Sequence, residues 1–143
     1  MQEIISNKIL GFDFGAKYIG VALGQTITKT ARPLTSIVIK NNQINWQEIE
    51  QLIITWQPGQ LVVGVPVDLA GKKQHTTFAC LKFLQQLKKK YNLPVHQADE
   101  RLTTWEAKQK LSLQHKEYLS KQEIKKVNAM AAAILLEQWI LEN

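Results

Sequence analysis

The sequence predicts an α/β fold with a mixed sheet and helices on both of its faces. Three observations carry that prediction. Two apolar, glycine-bearing runs, "KILGFDFG" and "YIGVALG", stand back to back near the start. A β-like run, "PLTSIVIK", follows them. Beyond it, stripes with helical spacing alternate with short apolar strands, the pattern of crossover connections.

Lys8 to Gly15 reads as a short buried strand and Tyr18 to Gly24 as a second, with Gly15-Ala16-Lys17 as the tight link of a hairpin. The third strand is placed after Pro33, and the polar "NNQ" leads from it to "NWQEIEQLIITW". There Asn45 and Glu48 have capping-box spacing, and Trp46, Ile49, Leu52, Ile53 and Trp56 form a helical stripe. Pro58-Gly59 should end that helix. "QLVVGVP" is almost continuously apolar, as strands covered on both faces are.

After the loop "DLAGKKQ", Cys80, Phe83, Leu84, Leu87 and Tyr91 again follow helical spacing. "LPVHQADE" reads as a short strand ending in acids, and Thr103 with Glu106 in "TTWEAKQKL" should cap a helix directly after it. "SLQHKEYLSKQEIKK" is polar and basic and is expected to be a loop or a partly helical arm. An apolar helix containing Asn128 closes the chain. In such a fold the last two strands run parallel to their neighbours, and ligands gather beyond the carboxyl ends of the strands.

The 143 residues suit one domain, and 45% hydrophobic with 21% charged residues is globular composition. A formal charge of +6 favours anionic partners, nucleic acid first among them, although a merely basic soluble protein has the same balance. No apolar run approaches the roughly 18 to 20 residues needed to span a bilayer, and "MQEIISNK" lacks the features of a signal peptide, so no membrane partner and a cytoplasmic location are expected. The single Cys80 agrees with a reducing compartment and sits where a small buried hydrophobe is expected. Nothing in the periodicity decides between a monomer and a homodimer.

Asp13 falls inside the first strand, among residues expected to be buried. A carboxylate there needs a partner or a cation. Lys17 is one candidate partner, but a second acidic pair, Asp99-Glu100, ends another predicted strand. Separated acids at strand ends suit Mg²⁺ or Mn²⁺, which take hard oxygen ligands and keep waters for a phosphate substrate. Alternation places Asp99 and Glu100 on opposite faces, and Glu100 is the favoured ligand. Lys17, Arg32 and Arg101, and less so Lys108, are candidate phosphate contacts, each with a solvated charge or a salt bridge as the plainer role. The runs at Lys88–Lys90 and Lys125-Lys126 read as solvated faces that supply nonspecific affinity. His75, His96 and His115 share no zinc-ligand spacing, and the four tryptophans fit core positions better than base-stacking ones. Asn128 suits a helix N-cap, but Ser120 and Glu123 also have capping-box spacing, which would start the helix earlier and leave Asn128 inside it.

"GFDFGAKYIGVALG", "LVVGVPVDLAG", "LPVHQADERLTTWEA" and "VNAMAAAILLE" together resemble the successive motifs of the YqgF/RuvX family over about Leu10 to Glu137. These are small ribonuclease H-like proteins described as Holliday junction resolvases or pre-16S ribosomal RNA nucleases. The resemblance implies a mixed five-stranded sheet and an acidic, metal-binding catalytic site mapping onto Asp13, Glu100 and Asn128. At the last position the family usually has Asp, and this chain has Val127-Asn128.

The implied reaction is phosphodiester hydrolysis by a metal-activated water, with a second ion roughly 4 Å away at the leaving oxygen. An Asn carbonyl coordinates but is neutral and accepts no proton. The implied substrate is structured RNA, in particular pre-ribosomal RNA. Branched DNA is the alternative, and a nucleic-acid-binding protein with impaired catalysis is the reading from another class. A sugar kinase or actin-like ATPase shares a "GxDxG" hairpin but needs two lobes, which the length does not supply.

Overall fold

The hairpin and crossover pattern is realised in a computed structural model that describes residues 6–15, 17–66, 75–100 and 120–143. The elements are β1 (Lys8–Phe14), β2 (Tyr18–Gln25), β3 (Thr30–Lys40), β4 (Gln43–Ile44), α1 (Trp46–Trp56), β5 (Gln60–Pro66), α2 (His75–Tyr91), β6 (Val95–Glu100) and α3 (Lys121–Glu142). They form one sheet in the order β4-β3-β2-β1-β5-β6. β1 to β4 pair antiparallel, whereas β5 runs parallel to β1 and β6 parallel to β5. Among the described residues the sheet therefore has six strands and not five. The expected helix in "TTWEAKQKL" and the loop "DLAGKKQ" lie outside the described residues.

Local chemistry explains the elements. Gly15 N–H donates to the Tyr18 carbonyl at 2.9 Å and closes the first hairpin. β3 starts at Thr30, ahead of Pro33, because the proline sits at a bulge: Val21 faces Thr35 while Ala22 faces Pro33. A residue without an N–H is tolerated at such an irregularity. Asn41 and Asn42 both take positive φ, 52° and 59°, and turn the chain back so that Gln43 pairs with Lys40. That two-residue turn creates β4, which is too short to show a periodicity. At α1, Asn45 accepts from the Glu48 N–H at 3.3 Å, and Gln57 ends the helix in the left-handed region ahead of Pro58.

The sheet separates two cores. α1 and α2 cover one face, where Phe12, Phe14, Ile49 and Phe83 are buried and Phe12 meets Phe83 edge-on with centroids 5.7 Å apart. Cys80 is wholly buried there and its Sγ donates to the Gly64 carbonyl at 3.2 Å, as expected of a small core residue. α3 alone covers the other face among the described residues, placing Ala132, Leu135, Leu136 and Ile140 against Ile9, Ala22, Val62 and Ala98.

Small residues let α3 come very close. A Cβ on Gly20 would lie 2.0 Å from the Asn128 carbonyl oxygen and 2.6 Å from its carbon, so helix backbone rests directly on strand backbone. Gly20→Ala must push the helix away, and we expect a loss of about 1–3 kcal/mol or more, seen as a lowered Tm in thermal unfolding. An unchanged Tm would show that α3 does not press on β2.

α3 starts at Ser120, whose hydroxyl oxygen accepts from the Glu123 N–H at 3.2 Å. Lys121–Lys126, part of the segment expected as a loop or partly helical arm, are thus fully helical, and Asn128 lies inside the helix. The N-cap role open to Asn128 in the sequence belongs to Ser120 instead. No helix among the described residues is long and apolar enough to cross a membrane.

Candidate active site

Asp13 lies one residue before the carboxyl end of β1 and is wholly buried. Strand pairing ties it to one row across the sheet. It faces Gly20 in β2 and Gly64 in β5, Gly20 faces Ser36 in β3, and Gly64 faces Ala98 in β6. Residues of one row share a sheet face, and a residue two places along shares it again. Glu100 therefore occupies a position of the same parity as Asp13, whereas Asp99 belongs to the opposite parity. Two strand spacings, roughly 10 Å, separate β1 from β6.

The same row receives α3. Asn128 backbone rests on Gly20, the direct neighbour of Asp13. Next along, the buried Ser36 donates its hydroxyl to the Lys125 carbonyl and fixes the helix one turn before Asn128. The Asn128 amide Nδ2 donates to the Ile124 carbonyl at 2.9 Å. A carbonyl only accepts, so the orientation of this amide is determined, and Oδ1 is the atom with lone pairs to offer a ligand.

Asp13 and the backbone of Asn128 thus meet at one end of the sheet, and Glu100 stands at the end of β6 at a position of the same parity as Asp13. Lys17 is exposed in the β1–β2 turn just beyond, where its carbonyl accepts from the Ile39 N–H at 2.8 Å. Arg32 is elsewhere. It pairs with Leu23, three residues along from the Asp13 row, and its guanidinium stands 5.1 Å over the Trp56 ring on the α1 side. Arg101, Lys108 and His115 lie outside the described residues. His96 bonds Gln60 Oε1 through Nε2 at 2.8 Å and stacks on Trp139 at 5.0 Å.

Two residues went unnoticed in the sequence reading, Gly20 and Ser36. Their signals were available: a glycine inside a strand marks a close approach, and a strand hydroxyl needs a partner when buried.

Donor chemistry decides whether a cation fits. A wholly buried carboxylate and an amide whose oxygen is left to accept are hard oxygen donors, suited to Mg²⁺ or Mn²⁺ and poorly suited to softer metals. Among the described residues no three His, Cys, Asp or Glu side chains cluster around one point.

A mixed sheet of this order, with an acid in the first strand and a long closing helix laid over it, is a ribonuclease H-like fold. It is similar to that of Thermus thermophilus RuvC in complex with a Holliday junction substrate, with a TM-score of 0.53, 14% identity and 94% of each chain covered. The fowlpox virus resolvase in complex with Holliday junction DNA is similar too, with a TM-score of 0.51, 12% identity and 94% and 99% of the two chains covered.

The chain belongs to the YqgF/RuvX family, whose model, described as Holliday junction resolvase, matches residues 7–142. A Pseudomonas putida protein is 42% identical over 94% of this chain and 95% of its own length. A Haemophilus ducreyi protein is 42% identical over 97% and 99%, and one from Legionella pneumophila 43% over 94% and 95%. All three are provisionally named pre-16S rRNA nucleases.

Proposed function

We propose that this chain is a metal-dependent nuclease that hydrolyses phosphodiester bonds in structured RNA, acting in the cytosol on the 5′ end of pre-16S ribosomal RNA. The observation that carries the reading is the buried Asp13 with Glu100 at a parity-matched position of β6 and the close approach of α3 at Asn128 beside it. The names of its relatives support RNA as the substrate.

Asp13, Glu100 and Asn128 would hold Mg²⁺ or Mn²⁺, which supplies a water of lowered pKa and neutralises charge on the phosphate. Asp13 is the anchoring carboxylate, since burial in a central strand leaves it little freedom to move. Glu100, at the end of β6, adds the second negative charge and orients the attacking water. Asn128 offers Oδ1 but no charge, so the site is one anion short of the three-carboxylate set usual in the family. Lys17 steadies the substrate's backbone from the hairpin turn.

The second reading, a branched-DNA resolvase, is favoured by the family's description. Both are tested by incubating the purified protein with an end-labelled transcript carrying the 5′ extension of pre-16S RNA, and separately with a four-way DNA junction. We expect the transcript to be cut in Mn²⁺, the junction to remain whole, and chelation to stop the reaction. Cutting of the junction alone would establish the resolvase. Salt-sensitive RNA binding without cleavage in any divalent ion would make the protein a binding module.

A further inference from the structure

Two contacts between α3 and the sheet lie at Asn128, and they differ in kind. Gly20 in β2 meets the Asn128 backbone so closely that no Cβ fits between them. A steric contact of this sort sets how far the helix stands from the sheet, but it has no direction and does not stop the helix rolling about its own axis. The other contact is directional. Ser36 in β3, wholly buried, donates its hydroxyl to the Lys125 carbonyl. A carbonyl has two lone pairs, so Lys125 can accept this bond and keep its place in the helical ladder. Ser36 pairs with Gly20, and Gly20 pairs with Asp13, so the hydroxyl and the carboxylate share one row and one face of the sheet.

The hold reaches the Asn128 side chain through a single turn of helix. Its Nδ2 donates at 2.9 Å to the Ile124 carbonyl, next in the chain to the carbonyl that Ser36 engages. Amide and turn therefore move as one body. A helix with its side chains has a radius of about 5–6 Å, so a roll of about 10° carries a side-chain tip by about 1 Å. A preorganised site tolerates about 0.5 Å.

We propose that Ser36 is a positioning residue for the cation site: through the Lys125 carbonyl it fixes the roll of α3 and so aims Asn128 Oδ1 at the ion that Asp13 anchors. The ion itself rests on the nuclease reading. An amide needs such aiming more than a carboxylate does, because only one of its two terminal atoms accepts.

The test is a double-mutant cycle on the Mn²⁺ affinity of the full chain, read from the EPR signal of the free ion at a temperature well below the Tm of every variant. Ser36→Ala is expected to raise the Kd about three- to tenfold, the range that one lost hydrogen bond allows. Ser36→Cys, which keeps a weaker donor in place, should fall between Ser36→Ala and wild type. Asn128→Ala should also raise the Kd, and adding Ser36→Ala to it should change the value by less than about twofold, since no side-chain oxygen is left to aim.

A hydroxyl that only holds the fold together would lower the metal-free Tm of Ser36→Ala and leave its Mn²⁺ affinity alone, and that result overturns the proposal. So does an equal rise in Kd with and without the Asn128 side chain, which would place the effect elsewhere. Asp13→Asn in the same titration tests the ion site separately. Binding lost in Asp13→Asn but untouched by Ser36→Ala removes the positioning role and keeps the site. Binding unaltered by Asp13→Asn, or absent from wild type, removes both.

Discussion

Asp13→Asn is expected to lower RNA cleavage in Mn²⁺ by more than about 100-fold. Loss of a partner that only orients a metal ligand already costs about 10–100-fold, and here the ligand itself loses its charge. The exchange keeps the volume of a side chain that is wholly buried in β1, so the packing around it is preserved. Two measurements separate the chemistry from the fold. Circular dichroism should be unaltered, and the rise in Tm that Mn²⁺ gives the wild type should vanish. An ion at a hundredfold excess over its Kd stabilises by about 2.7 kcal/mol, a shift easily seen in thermal unfolding. Cleavage that continues at the wild-type rate in Asp13→Asn would remove Asp13 from the site.

Asn128→Asp should act in the other direction. The Asn128 amide donates to the Ile124 carbonyl, and a carboxylate cannot. The variant therefore loses one hydrogen bond, about 0.5–1.5 kcal/mol, and gains a negative charge one strand away from Asp13. Without metal its Tm should fall. With Mn²⁺ the order reverses, because the number of anionic ligands sets affinity for a hard cation. We expect ion binding about tenfold tighter, or about 1.4 kcal/mol, and cleavage faster by a similar factor. Slower cleavage with unchanged Mn²⁺ affinity would show that the amide stands outside the metal's reach.

Much of this architecture was readable before any coordinates. Asn45 and Glu48 announced α1, Pro58-Gly59 its end, and "QLVVGVP" the central strand, because each depends only on chemistry within a few residues. The same held for Ser120 and Glu123, whose spacing competed with Asn128 for the start of α3 and prevailed. What failed was nonlocal or too short. Pro33 reads as a strand boundary in the sequence, yet the bulge opposite Val21 and Ala22 accommodates it within β3. β4 has two residues and no pattern to read. The site was legible as a set of acids but not as an arrangement. Alternation separated Asp99 from Glu100, whereas the link from Asp13 to Glu100 needed the register of β5, which no single strand encodes. Arg32 is a further case: its charge suggests a phosphate contact, while its place over Trp56 on the α1 side is set by the register.

The contact at Gly20 also has a mechanical meaning. Toward its carboxyl end, α3 rests on the sheet through Leu136 and Ile140 and through the stack of Trp139 on His96, contacts that the helix makes with side chains able to change rotamer. At Asn128 it rests backbone on backbone, with nothing between that can yield. The helix is a rod with one hard bearing and one cushioned end about 16 Å away. A displacement at the cushioned end swings the rod about the bearing and leaves the bearing where it is. Because that fixed point coincides with Asn128, sequence drift around Trp139 can be absorbed as a small change of tilt, while one added methyl at position 20 moves Asn128 itself.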